Sequence, residues 1–133
     1  MNKLILFLSL SLLATLNSYG QWSPIITTKF GSIHYVNMSS VKTSKQYIYY
    51  WAMENSHEAD MFGALSKAWY IQADCNINKY KILSTVLYKA KDGKQRFNTF
   101  NKDNPSWDFP TPGSVAYKEI TYMCKSVMSG KNN

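Results

Sequence analysis

Two cysteines and two histidines are the only thiolate and imidazole metal ligands in this 133-residue chain. They are too few and too scattered for a structural zinc site, which argues against a metal-centred fold. Catalytic spacing is missing as well. No nucleophile with its base, no paired carboxylates and no metal cluster can be recognised, so no catalytic residue is assigned and the chain is read as a non-enzyme. Negative charge is scarce, with eight acidic residues against fifteen basic ones and a net charge of +7. Any partner chosen by charge would therefore be anionic. Beyond residue 16 there is no long apolar run, and there is neither an internal repeat nor a low-complexity segment.

The one apolar run that exists opens the chain. Lys3 precedes an apolar core over residues 4–16, and Ser18-Tyr19-Gly20 puts small residues at the positions that determine cleavage. This pattern predicts a secretory signal peptide over residues 1–20, the alternative being an uncleaved anchor, for which the run is short. No cysteine lies at the junction, so lipid attachment there has no acceptor. The expected mature chain, residues 21–133, is long enough for one domain and too short for two. Losing Lys3 leaves fourteen basic and eight acidic residues, a net charge of about +6 with both histidines neutral.

The organising stretch is residues 67–88. Trp69, Ile71, Ala73 and Cys75 alternate with Tyr70, Gln72 and Asp74, which is the two-residue period of a strand. A second run, 79–88, is rich in β-branched and aromatic residues, and the two read as a hairpin with Cys75 at its tip. Earlier in the chain, residues 21–29 form an irregular edge segment broken by Pro24. A short strand follows at 32–36, then a polar turn over 37–41, and then a strand over 46–54 that is apolar or aromatic on both faces. Residues 55–66 are an acidic loop. Asp92-Gly93 marks a turn before a returning strand at 95–100. The long loop 101–113 is expected to be anchored by Trp107 and Phe109. Ser114 is a fitting N-cap for a helix whose stripe is Ala116, Ile120, Met123, Cys124 and Val127, ahead of a frayed tail at 129–133. Asn37-Met38-Ser39 spells a glycosylation acceptor to which no function is attached.

An exported chain meets an oxidising compartment, so Cys75 and Cys124 are expected to pair. The bond would close a loop of about 50 residues, worth roughly 4 kcal/mol on chain entropy. The fold expected is α+β: a single antiparallel sheet of five or six strands, with the C-terminal helix packed on one face and tied there by the disulfide. The helix covers one face only, which leaves the other for a partner or a second copy of the chain.

Lys79, Lys81, Lys89, Lys91, Lys94 and Arg96 cluster along one hairpin and its turn. They suit a polyanionic glycan, anionic lipid or acidic protein, but the preferred reading is a solvated strand edge whose lysines oppose aggregation. Nucleic acid is set aside because the chain is exported and carries no motif for it. Nine tyrosines follow residue 20, a count that suits both a binding surface and ordinary sheet composition. Lys89, Lys91, Lys94, Arg96 and Tyr49 are the candidate binding residues. His34 and His57 are candidate ligands for haem or a metal only as an alternative to ordinary polar roles. No cofactor is assigned.

Trp22, Tyr35-Val36-Asn37 with Ser40-Val41, Trp51, Asp74-Cys75, Tyr80, Tyr88, Gly93, Pro112-Gly113-Ser114 and Tyr122 ahead of Cys124 together make the chain resemble the surface-adhesin protein E-like family of exported Gram-negative bacterial proteins. The resemblance covers nearly all of residues 22–125. It implies a sheet with a cysteine-tied helix and a non-enzymatic role as an adhesin that binds host extracellular-matrix proteins and can dimerise. This chain lacks the lipid-attachment cysteine, so periplasmic or secreted residence is expected. The competing reading is a periplasmic carrier of a small hydrophobic ligand such as haem, and an inhibitor of a host hydrolase comes third, disfavoured by like charge.

Overall fold

The computed structural model describes residues 21–130, so the expected signal peptide and the last three residues of the tail lie outside the described residues. Six strands and one helix follow in chain order: β1 (Trp22–Thr27), β2 (Ile33–Ser44), β3 (Tyr47–Asn55), β4 (Ser66–Asp74), β5 (Lys79–Tyr88), β6 (Arg96–Asn101) and α1 (Val115–Ser129). The strands form one antiparallel meander in the order β1-β2-β3-β4-β5-β6. Each strand pairs with its neighbours in sequence, so short turns suffice to connect them.

Turn chemistry sets the register. Asp74 Oδ1 accepts from the backbone N–H groups of Asn76 at 2.9 Å and Ile77 at 3.4 Å, closing the β4–β5 turn in which Asn78 takes positive φ. Asp92 and Gly93 both take positive φ, 63° and 68°, at the β5–β6 turn. β1 is irregular, as Pro24 foretells, with a register shift between Pro24 and Ile26. β2 differs from expectation. The polar turn expected over 37–41 is instead a bulge inside a 12-residue strand, with the register shift lying between Asn37 and Lys42. Side chains close it locally: Asn37 Oδ1 accepts from the Ser39 N–H at 3.1 Å, and Ser40 Oγ accepts from the Trp51 N–H at 3.0 Å.

The core lies on one face. Val36, Ile48, Tyr50, Ala52, Ile71 and Ala73 from β2, β3 and β4 pack against Ile120 and Met123 of α1. Ser114 caps the helix by accepting from the Tyr117 N–H at 3.2 Å. Cys75 and Cys124 are bonded, with an S–S distance of 2.07 Å and Cα atoms 5.6 Å apart, so the middle of α1 is fastened to the β4–β5 turn. Loop 102–113 is held by Trp107 and by the backbone of Asp108, which exchanges hydrogen bonds with Tyr80 at 2.8 and 2.9 Å. Phe109 does not anchor it, being 70% exposed. The backbone bridge at Asp108 and the Trp107 ring hold the loop without it.

Candidate functional site

Strand alternation divides the long side chains of β3 between two environments. Ile48, Tyr50 and Ala52 point at the helix and are fully buried, whereas Tyr47, Tyr49 and Trp51 point at the opposite face and stay half-buried. Register carries this second face across the sheet, because Trp51 lies opposite Tyr70 and Asn37, and Met53 opposite Ala68 and Tyr35. Trp51 stacks on Tyr70 at 5.2 Å between ring centroids, and Tyr49 meets Tyr70 at 6.4 Å. The result is a shelf of rings on the face of the sheet opposite α1.

Both ends of the shelf are covered. At one end Trp107 stacks on Tyr47 at 5.9 Å while the ammonium groups of Lys79 and Lys81 sit 4.3 and 4.5 Å from its ring centroid. At the other end the β5–β6 turn folds over Met53. Asn55 Nδ2 donates to Asp92 Oδ1 at 2.7 Å, the Asp92 N–H donates back to Asn55 Oδ1 at 2.8 Å, and Ser66 Oγ donates to the Ala90 carbonyl at 2.6 Å. Asp92 and Lys94 here edge a hollow of about 260 Å³ with Trp22, Tyr35 and Met53.

The candidate binding residues are therefore spread out. Lys89, Lys91, Lys94 and Arg96 are exposed at the turn end, with Lys89 5.9 Å from the Phe97 ring, and Tyr49 belongs to the middle of the shelf. Lys79 and Lys81 are half-buried at the opposite end, so the lysine cluster of the sequence is two groups in space. Sequence reading missed the partnership of Trp107 with these two lysines. Its one signal was an aromatic residue in a polar loop.

On the helix side a cleft of about 210 Å³ opens beside α1, lined by His34, Trp69, Ile71, Tyr80, Ile82, Val115, Ala116, Glu119 and Ile120. Glu119 is 5% exposed, and its Oε1 accepts from the Tyr50 hydroxyl at 3.0 Å. Burial lifts its carboxyl to about 7 against the opposing effect of that hydrogen bond. Burial, and then the Glu119 charge, push the Tyr50 hydroxyl well above the usual tyrosine range. His34 is held below its usual value by burial, against the pull of Glu54, whose Oε1 lies 3.9 Å from its Nε2. At about 210 Å³ the cleft is smaller than the roughly 300–1,000 Å³ of pockets that take drug-sized ligands, so haem does not fit it as it stands.

His57 lies elsewhere, in a polar hollow with Glu54, Glu58, Asp60 and Lys67. Burial pushes the Asp60 carboxyl up, but the Ala64 and Phe62 N–H groups and Lys67, at 3.1 Å, outweigh it and hold the carboxyl below its usual range. The two histidines therefore do not share a site. Among the described residues no cluster of three or more histidine, cysteine or acidic side chains could hold a metal ion.

A comparison with known protein families matches residues 22–125 to the family described as surface-adhesin protein E. The chain belongs to that family. The matched span takes in all six strands of this adhesin E chain, both cysteines and α1 through Lys125. Solved structures agree on the fold. Crystal form II of Haemophilus influenzae protein E superposes with a TM-score of 0.62 at 14% identity, covering 80% of this chain and 89% of that one. A second structure of Haemophilus influenzae protein E gives 0.58 at 14% identity, covering 80% and 86%. Protein E from non-typeable Haemophilus influenzae gives 0.56 at 15% identity, covering 80% and 78%. Among curated proteins none matches the chain. Among the described residues no helix of this adhesin E chain is long and apolar enough to cross a membrane.

Proposed function

We propose that this member of the adhesin E family is an exported, non-enzymatic binding protein that holds a host extracellular-matrix protein on its ring-lined sheet face, with Lys89, Lys91, Lys94 and Arg96 as the charged rim. The observation that carries this reading is the shelf itself: Tyr49, Trp51 and Tyr70 are half-buried in mutual ring contact on the face opposite α1. Rigid aromatic rings lose little entropy on docking and dominate many interfaces, while lysines at the edge speed encounter with acidic partners. In this reading residues 1–20 are removed on export and the mature chain from Gln21 is periplasmic or secreted, with no lipid at the junction. A second copy of the chain is the competing occupant of the shelf.

Binding of the purified, oxidised protein to a panel of immobilised matrix proteins tests the reading. The triple change Lys89→Ser, Lys91→Ser, Lys94→Ser should slow association and flatten its salt dependence, and Tyr49→Ser should speed dissociation. An interaction untouched by either change would place the partner elsewhere. Light scattering across a concentration series reports a second copy, and mass analysis of the exported form reports the new N-terminus.

A further inference from the structure

The cleft beside α1 is a separate feature from the shelf, and its chemistry is unusual. The sequence holds fifteen basic residues, yet among the described residues none forms an ion pair with the buried carboxyl of Glu119. Its only hydrogen-bond partner among the described residues is the Tyr50 hydroxyl, which occupies Oε1. Every fully buried side-chain nitrogen or oxygen among those residues is hydrogen-bonded, so Oε2, which has no partner, reaches open space, and the space Glu119 borders is the cleft. Around it the walls are apolar or aromatic: Trp69, Ile71 and Ile82 from the sheet, and Ala116 from the helix. Tyr80 adds a ring that remains half-buried.

We propose that this cleft binds a small hydrophobic amine, one aromatic ring on a short cationic arm, with the ring against Trp69 and Tyr80 and the ammonium on Glu119 Oε2. Size sets the ring count. A cavity of about 150 Å³ takes a benzene, so about 210 Å³ takes one ring and a short arm. Charge sets the arm. A carboxylate in an apolar site gains most from a partner that is itself a cation, and the aromatic walls favour a cation as well. The groups facing Glu119 do not compete for it. Tyr50 of β3 already donates to Oε1, Tyr80 of β5 is held neutral by burial, and His34 of β2 is likewise held neutral, with Glu54 behind it. β1 contributes no titratable residue, and the Lys67 of β4 is paired with Asp60.

Calorimetry of the purified, oxidised protein with 2-phenylethylamine, 2-phenylethanol and phenylacetate tests the proposal. At pH 8 the amine should bind about tenfold or more tightly than the alcohol, and phenylacetate should not bind. Lowering the pH from 8 to 6 should weaken the amine about tenfold, because a carboxyl near 7 must first lose its proton, while the alcohol should be indifferent. Glu119→Gln should cut the preference for the amine over the alcohol below about threefold. Should that variant misfold, Ala116→Phe fills the cleft and leaves Glu119 in place, and it should abolish binding. Equal binding of amine and alcohol overturns the proposal, as does no binding at all, or binding that survives Ala116→Phe. Matrix-protein binding by the shelf is read in the same preparations, and its presence or absence does not bear on these outcomes.

Discussion

On the helix side of β3, Ile48, Tyr50 and Ala52 lose all contact with water; on the other side of the same strand, Tyr47, Tyr49 and Trp51 keep part of their surface. Both faces offer large side chains, yet only one is closed, and it is closed twice over, by the stripe of α1 and by the Cys75–Cys124 bond. The open face relies on its margins: the β5–β6 turn clamped to Asn55 and Ser66, and Trp107 laid on Tyr47. A small domain thus gains its stability from one side of the sheet. The rings of the other side are held rigidly in register without being consumed by the core, which is the state a docking surface requires.

If stability does reside on the closed face, the largest losses must come from there. Replacing Cys75 and Cys124 by serine should lower the unfolding free energy by about 4 kcal/mol, the entropy of a 49-residue closure, read as a shift in the urea midpoint relative to the oxidised protein. Reductant should then have no further effect on the double variant. Ile120→Ala, at a side chain 1% exposed, should cost about 2–5 kcal/mol. Tyr49→Ala, on the half-open face, should cost about 1 kcal/mol or less. Equal losses at Ile120 and Tyr49 would erase the distinction between the faces.

The closed face was the legible one. The two-residue period of 67–75 and 79–88, the N-cap at Ser114 and the stripe through Ile120 and Met123 are local patterns that packing then rewards, and they predict the sheet and the helix, while the expected export of a chain with two cysteines predicts the disulfide. Asn37, Ser39 and Ser40 misled because their composition suits a turn, whereas here their side chains satisfy a bulge within β2. Glu119 was overlooked for a related reason. It lies on the apolar stripe, one position before Ile120, and a hydroxyl 69 residues earlier, on Tyr50, makes its burial tolerable. The edges of the shelf were illegible because they join loop residues to distant strands, Trp107 to Tyr47 and Asp92 to Asn55, through contacts that no local period encodes.

Glu119 makes the closed face sensitive to pH. Its folded carboxyl titrates at about 7, above the ordinary glutamate value, so the folded state holds this proton more tightly than the unfolded chain. The associated stability is fully present below the unfolded value, near pH 4.5, and is lost as the pH rises to about 7, beyond which the loss is complete. The span is up to about 3 kcal/mol. Glu119→Gln keeps an acceptor for Tyr50 but cannot ionise, so its stability should vary less between pH 5 and 8 and exceed that of the parent at pH 8. Identical pH profiles for parent and variant would mean that water reaches this carboxyl freely.

A modest and local effect is expected at the margin of the open face. Trp107 joins loop 102–113 to the sheet through its stack on Tyr47 and through Lys79 and Lys81, and because these contacts share one partly exposed ring they contribute about 1–2 kcal/mol together. Trp107→Ala removes them but leaves the backbone bridge between Asp108 and Tyr80 intact. Global stability should therefore fall by about 1–2 kcal/mol, because the core around Tyr50, Ile120 and Met123 is untouched. Hydrogen exchange should locate the change, with faster exchange confined to the loop and the start of β5 and unaltered protection in β3 and α1. A loss comparable to that of Ile120→Ala would mean that Trp107 belongs to a second core, and the ring-lined face would then be a structural layer whose rings are not free to receive a partner.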